Sequence, residues 1–523
     1  HRAQGHDESL PDAVFFSTYI WNRGMVLEAA SELRKVLPDV LIGCGGPEVS
    51  WSAEKVFAEC PAIDVILEGE GELTFTELAG RLFKRGAVQD DLAHRMSGRT
   101  AGLGEIAGVY ARTGTDTIIF GGHRPLIADL SVIPFPWSPK RLDIDPGTRI
   151  VYYESSRGCP FSCAYCLSSI DKTVRYYPLA RVLAEIGYFI KAGFPLVKFV
   201  DRTFNLDPGR FLAIWRYIRD HHNGKTLFHF EIAAEYLNDD AFAVLETMPE
   251  GAIQFEIGIQ SINPATLAAV GRPAHPAKLA ENIRRIPSSI HTHVDLIAGL
   301  PEEGPDSFAR SFDYAFSLDA GMLQLGFLKI LSGSPMESLA RKESRYVWSS
   351  SPPYEVLATP ALSYRDLLVL KDVEQVVDTW YNSGLMRRSL NRIAECARIH
   401  DPLAGTVAFS VFREASLHIR NYFPDGDLFL PRIFSCRVSR ASFLTGMNGG
   451  IPRKPTTGRS ASMRPGFFPP GAETTGREPP LREEFCMRIP NTIPSGLILT
   501  ESRRHFCFFT RKIPAKKGRF FSS

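Results

Sequence analysis

Long apolar runs are missing from this chain of 523 residues, although 44% of it is hydrophobic. No uninterrupted stretch reaches the roughly 18 residues that a membrane-crossing helix needs, so the composition fits a folded core and no membrane partner is expected. Cysteine is sparse as well: nine in this length exclude a disulfide-stapled secreted scaffold. Six of them, Cys44, Cys60, Cys396, Cys436, Cys486 and Cys507, lie scattered and read as buried small hydrophobes or idle thiols. The chain opens at His1 with no Met and no basic-then-apolar leader. The expectation is a cytoplasmic protein whose N-terminal domain lacks its start. Net charge of one sign is also missing, at +2 overall, but the balance hides a split. From Pro431 to Ser523 there are 17 Lys+Arg against 5 Glu and no Asp, a formal +12, which leaves −10 on the residues before it. That tail, 431–523, loses periodicity and is rich in Arg, Pro, Ser and Gly. It reads either as a disordered basic segment touching nucleic acid or membrane, or as out-of-frame translation, the favoured reading. Under it a nucleic-acid partner is not expected.

The rest alternates between strand and helix patterns, which predicts an α/β fold with parallel sheet. In residues 1–133, strands are expected at Ala13–Ser17, Val40–Gly43 and Val65–Leu67, with helices over Gly24–Val36, Glu54–Glu59 and Leu73–Leu82. A linker rich in Pro and Trp follows at 134–148. A second series, 149–345, places strands at Ile150–Glu154, Leu196–Asp201, Leu227–Ala233, Ile253–Gly258, His293–Ile297 and Leu323–Leu331. The clearest helix between them, Leu179–Ala192, carries Leu179, Val182, Leu183, Ile186 and Ile190 on one face. Six such strands fit a partial (β/α)6 TIM-like barrel, whose site residues gather at the C-terminal ends of the strands. Residues 346–430 read as a helical extension.

Three cysteines cluster where the others do not. Glu154-Ser-Ser-Arg-Gly-Cys159-Pro-Phe-Ser-Cys163-Ala-Tyr-Cys166 places a Cys-x3-Cys-x2-Cys spacing directly after the first barrel strand. Thiolates hold iron–sulfur clusters, and three close ones can bind three irons of a cubane while leaving the fourth open. The alternative, structural zinc, wants four closed ligands, and the next downstream candidates are as far away as His221 and His222.

The segment resembles the signature loop of the radical S-adenosylmethionine (SAM) superfamily. The resemblance implies a [4Fe–4S] cluster on Cys159, Cys163 and Cys166, with SAM on the open iron and Tyr165 near its adenine. It extends to Phe199-Val-Asp-Arg-Thr-Phe-Asn205, where Asp201 is a candidate SAM contact although the usual Gly-Gly-Glu is absent. It includes Phe255-Glu-Ile-Gly-Ile-Gln-Ser261, with Glu256 and Gln260 as candidates, and Asp295-Leu-Ile-Ala-Gly-Leu-Pro-Glu302, where Gly299 would let backbone approach the adenine. Arg272, Glu231 and Glu235 read equally well as site residues or as solvated charges. The N-terminal region resembles part of a Rossmann-like cobalamin-binding domain. There Ser17, Gly45 and Gly46 are candidate cobalamin contacts, and Glu68-Gly-Glu-Gly-Glu72 is typical of radical SAM proteins with a B12 domain. The family's Asp-x-His-x-x-Gly is absent, which leaves cobalamin binding open.

The implied chemistry is reductive cleavage of SAM to a 5′-deoxyadenosyl radical, fed by an electron donor such as flavodoxin or ferredoxin. With cobalamin it would extend to methyl transfer onto an unactivated carbon, or to a ring rearrangement. Two rivals stand beside it: an iron–sulfur electron carrier or sensor without SAM cleavage, and a methylthiotransferase. Catalytic side chains are not assigned by the sequence.

Overall fold

The short apolar runs near the N-terminus form the parallel sheet that their spacing with helices predicts. The computed structural model describes residues 11–86, 100–114, 117–137, 147, 149–384, 386–400 and 406–422. The tail 431–523, the end of the helical extension and most of the linker 134–148 lie outside the described residues. Strand β1 (Ala13–Ser17), helix α1 (Arg23–Val36), strand β2 (Leu41–Gly45), helices α2 (Pro47–Ser50) and α3 (Ala53–Glu59), strand β3 (Val65–Leu67) and helix α4 (Gly71–Gly86) follow in order. β1 pairs parallel with β2, and β2 with β3. Two further strands, β4 (Val109–Thr113) and β5 (Thr117–Phe120), add antiparallel to the β3 edge. Sequence periodicity did not announce this pair, because its half-exposed polar positions dilute the apolar signal. Ile42, Cys44, Val56, Phe57, Cys60 and Ile66 make the core and are at most 1% exposed. Cys44 and Cys60 are therefore packing residues here.

The second series builds on β6 (Ile150–Tyr153), then a small antiparallel hairpin of β7 (Ser156–Arg157) and β8 (Arg175–Tyr176). Next come α5 (Leu179–Ala192), β9 (Leu196–Phe199), α6 (Pro208–His221), β10 (Leu227–Glu231), α7 (Asp239–Leu245), β11 (Ile253–Gln260), α8 (Pro264–Ala269), α9 (Pro276–Arg285), β12 (His291–Ala298), α10 (Pro305–Ser317) and β13 (Met322–Phe327). The six long strands form one parallel sheet in the order β13-β12-β11-β10-β9-β6. Sequential order with a helix after each strand is the topology of a partial (β/α)6 barrel. Local chemistry sets the helix starts. Asp207 accepts from Arg210 N ahead of Pro208, Asn238 accepts from Ala241 N, and α5 stops at Gly193 in the left-handed conformation.

Strand alternation decides what each face carries. In β11, Ile253, Phe255, Ile257 and Ile259 are buried under the helices, while Gln254, Glu256, Gly258 and Gln260 occupy the other face. β10 repeats this, with Phe228 and Phe230 outward and His229 and Glu231 inward, in register with β11. Between sheet and helices, Trp215 of α6 packs on Phe211, Phe230 and Phe255 at centroid distances of 4.8, 6.2 and 5.2 Å. Trp215 is fully buried. Trp215→Ala is expected to cost about 3–5 kcal/mol through lost burial and a residual cavity, measured by urea unfolding. A loss below about 1 kcal/mol would contradict this packing.

Beyond the barrel lie α11 (Pro335–Lys342), the hairpin β14 (Val347–Trp348) and β15 (Val356–Ala358), and α12 (Tyr364–Val376). A π-helical turn at Val377–Asn382, α13 (Arg387–His400) and α14 (Val407–Tyr422) complete the extension. Ser363 and Asp366 form a reciprocal capping box at the start of α12. Phe412 of α14 packs against Phe312 and Phe316 of α10 at 5.2 and 5.8 Å, which ties the extension to the barrel. The N-terminal sheet is tied to the same body by Tyr354, whose buried hydroxyl donates to Glu48 Oε2 at 2.7 Å. No helix among the described residues is long and apolar enough to cross a membrane.

Candidate functional site

The cysteine segment leaves the barrel as a loop whose neck is the β7–β8 hairpin. Backbone hydrogen bonds pin it: Cys159 N to Asp171 O at 3.0 Å, Cys166 N to Cys163 O at 3.0 Å, and Ala164 N to Val270 O at 2.8 Å. Cys159 and Cys163 are buried and Cys166 is half-buried. All three line one cavity at the C-terminal ends of the barrel strands, together with Tyr165 and Arg272. Arg272 Nη1 lies 3.9 Å from Cys163 Sγ and 3.4 Å from the Tyr165 hydroxyl, and Nη2 donates to Gly258 O.

Among the described residues no three His, Cys, Asp or Glu side chains converge on a single ion position. The cavity wall offers three thiols of one loop and no His or fourth Cys, a donor set that fits three irons of a cubane better than the four closed ligands of structural zinc.

Opposite the loop the inward faces of β10, β11 and β12 contribute Glu231, Glu256, Gln260 and Asp295 to the cavity wall. Glu256 is well supplied with partners, Lys198 Nζ at 3.3 Å and His229 Nε2 at 3.0 Å, while Gln254 Nε2 sits 2.9 Å from His229 Nδ1. Burial pushes the Glu256 carboxyl up, but the His229 contact and the charge of Lys198 outweigh it and bring it down to about 2. Its register partner Glu231 makes no ion pair or side-chain hydrogen bond among the described residues, and only the more distant charges of Arg202 and Lys198 favour its ionised form. Burial, with the charge of Glu256, pushes Glu231 up to about 7. Asp295 lies 3.0 Å from His293 Nε2, and burial raises its carboxyl as well.

Both His–carboxylate contacts are close but poorly directed. His229 Nε2, His293 Nε2, Asp295 Oδ1, Gln260 Oε1 and Arg272 Nε are buried without a directed hydrogen-bond partner. Of these, Gln260, Arg272 and Asp295 line the cavity, where their unpartnered atoms suit a polar ligand.

The structure thus brings Cys159, Cys163, Cys166, Tyr165, Glu256 and Gln260 together. Arg272, Glu231 and Glu235 line the same cavity, whereas Asp201, Gly299, Ser17, Gly45 and Gly46 lie elsewhere. Asp201 does not line the cavity. It is 1% exposed and accepts from Ser155 N at 3.0 Å, Ser155 Oγ at 2.8 Å and Ser156 Oγ, which anchors the root of the cysteine loop. Gly299 also lies away from the cavity wall. Its φ is +93°, and an added Cβ would come 2.8 Å from Val356 Cγ2, so packing against β15 explains it.

Ser17, Gly45 and Gly46 sit at the C-terminal edge of the N-terminal sheet. Gly46 has φ +110°, and a Cβ there would meet Thr18 O at 2.5 Å, so the chain's own turn accounts for it. Arg202 and Thr203 line the cavity but were passed over within their motif, because no spacing rule marks a residue just after a strand end.

Comparison with known proteins bears on this geometry. Residues 153–315 match the radical SAM superfamily, residues 3–79 match the B12 binding domain, and residues 342–404 match a family of unknown function, DUF4080. The chain carries a radical SAM domain and a B12-binding domain.

The radical SAM match runs from the last residue of β6 to the last turn of α10. An uncharacterized methyltransferase from Pyrococcus horikoshii is 27% identical over 302 residues, which is 56% of this chain and 61% of that protein. The cobalamin-dependent radical SAM methyltransferase TokK from Streptomyces tokunonensis is 27% identical over 349 residues, covering 63% of this chain and 48% of TokK. The 2-(S-pantetheinyl)-carbapenam-3-carboxylate methyltransferase from Streptantibioticus cattleyicolor is 28% identical over 319 residues, 57% of this chain and 44% of that one. The chain therefore spans about half the length of these relatives. The solved radical SAM methyltransferase TsrM from Kitasatospora setae shares the fold at a TM-score of 0.51 and 16% identity, over 66% of this chain and 70% of TsrM.

Proposed function

We propose that this radical SAM protein is an enzyme that cleaves SAM reductively at the cysteine-loop cavity and, with cobalamin, transfers a methyl group to an unactivated carbon. The observation that carries this reading is that three thiols of one loop line the same cavity as Gln260, Arg272 and Asp295, each with an unpartnered buried polar atom. When bound, a [4Fe–4S] cluster supplies the electron that splits SAM into methionine and a 5′-deoxyadenosyl radical, and cobalamin supplies a methyl carrier.

Cys159, Cys163 and Cys166 would hold the cluster. Arg272 sets a fixed positive charge beside Cys163 and suits the SAM carboxylate, and Gln260 offers an unused carbonyl oxygen. Glu231 faces the cavity as an acid that carries a proton near neutral pH. At the N-terminal sheet edge, Ser17 is exposed and the exposed rings of Tyr19 and Trp21 stack at 4.5 Å with planes 6° apart. A flat aromatic platform suits a macrocycle. A flavodoxin or ferredoxin fits as electron donor, in a reducing cytoplasm.

The test uses the full chain, reconstituted anaerobically with iron and sulfide, then given a reductant and SAM. 5′-Deoxyadenosine is expected by chromatography. A formed cluster that yields none would replace this reading with that of an electron carrier or sensor.

A further inference from the structure

The neck of the cysteine loop poses an electrostatic problem. In the β7–β8 hairpin Arg157 stands directly opposite Arg175, and like charges directly opposite in a ladder repel. Both are mostly buried, with side chains 16% and 9% exposed. Two carboxylates of the N-terminal domain add to the compensating charge. The turn between β3 and α4 carries Glu70, whose Oε1 lies 3.1 Å from Arg157 Nη1 and 2.9 Å from Arg175 Nη1. Its Oε2 accepts from Ile127 N at 2.7 Å. Glu72, in the first turn of α4, pairs with Arg157 Nη2 at 2.5 Å. The barrel's own Glu154 and Asp171 occupy Arg157 Nε at 2.9 Å and Arg175 Nη2 at 2.6 Å.

We propose that Glu70 and Glu72 of the N-terminal domain are positioning residues for the cluster loop: they neutralise the Arg157–Arg175 pair and hold closed the neck from which Cys159, Cys163 and Cys166 project. Arg157 precedes the first of these cysteines by two residues and Arg175 follows the last by nine, so a neck that opens lets the loop's two ends part. The geometry makes the loop's order depend on a domain more than 80 residues upstream. It also sets two guanidinium groups, already neutralised, beside the loop. The proposal rests on the reading of those cysteines as the cluster ligands, but the clamp is testable without a cluster.

Hydrogen exchange is followed in the full chain free of iron, for the parent, Glu70→Gln, Arg175→Gln and the double variant. Glu70→Gln leaves two facing, part-buried cations short of a partner. Amides of residues 158–174 should then exchange about tenfold faster or more, with the β1–β3 core unchanged. Removing one of the two cations should relieve the repulsion, so the double variant should recover most of the protection. In reconstituted protein, Glu70→Gln should shift the cluster midpoint potential to more positive values, because losing a negative charge beside the loop favours the reduced form, and the double variant, which also loses a positive charge, should reverse that shift.

Unchanged exchange at 158–174, or a double variant no better than Glu70→Gln, overturns the proposal. If the exchange result holds but no cluster forms in the parent, the ligand reading fails and the clamp stands.

Discussion

Alanine at Cys159, Cys163 or Cys166, one at a time, should remove the cluster's visible absorption and lower 5′-deoxyadenosine formation by at least about 100-fold, since losing a ligand exceeds the effect of losing a supporting partner. Alanine at Cys44 or Cys60 should do neither, although both are equally cysteines of the same chain. The contrast follows from position. Cys44 and Cys60 are sealed in the N-terminal core at 0% and 1% exposure, and Cys60 Sγ is occupied by the Leu27 carbonyl and the Ser31 hydroxyl at 3.5 Å. The three loop thiols instead open on a cavity shared with Arg272 and Gln260. Iron content and the visible spectrum after anaerobic reconstitution read the difference directly. A single alanine variant that retained the parent spectrum would show that its residue is no ligand.

The spacing of those cysteines was legible because a ligand loop is local: one short run of sequence supplies all three thiols. The barrel was legible for a similar reason, since each strand and each helix carries its own period, and Leu179–Ala192 forms a helix with the bounds that its apolar face predicts. What the sequence concealed lies between segments. Glu231 read equally well as a site residue or a solvated charge, because alternation says which residues share a face but not whether that face closes on a cavity. Asp201 looked like a ligand at a strand end. Its partners, Ser155 and Ser156, sit 45 to 46 positions earlier and become visible only once β6 lies beside β9. The Glu68–Glu72 run carried a family resemblance but no physical reason, until the fold set Glu70 between two arginines that are 87 and 105 residues away in sequence.

Glu231 and Glu256 offer the other large effect, because two glutamates in direct register across β10 and β11 are driven in opposite directions. Glu256 is brought down to about 2: burial opposes this, but the contact with His229 and the charge of Lys198 prevail. Its contribution to stability is present above the ordinary glutamate range and is lost as pH falls toward 2. Glu231 is raised to about 7 by burial and by the charge of Glu256. Between about pH 4.5 and 7 the folded chain holds a proton at Glu231 that the unfolded chain has released, so stability falls as pH rises through that window. The full change is about 3 kcal/mol. Glu231→Gln, permanently neutral and similar in shape, should remove this slope. The variant should match the parent near pH 4.5 and exceed it by about 3 kcal/mol at pH 8, read by urea unfolding of the iron-free full chain across pH. Glu256→Gln should act in the opposite sense, leaving Lys198 and His229 facing a neutral amide and destabilising the chain at pH 7 by about 3 kcal/mol or more. Equal pH slopes for Glu231→Gln and the parent would mean that Glu231 is ionised in the folded chain. The cavity wall would then present two carboxylates side by side, in place of one carboxylate and one neutral acid able to donate a hydrogen bond to whatever binds there.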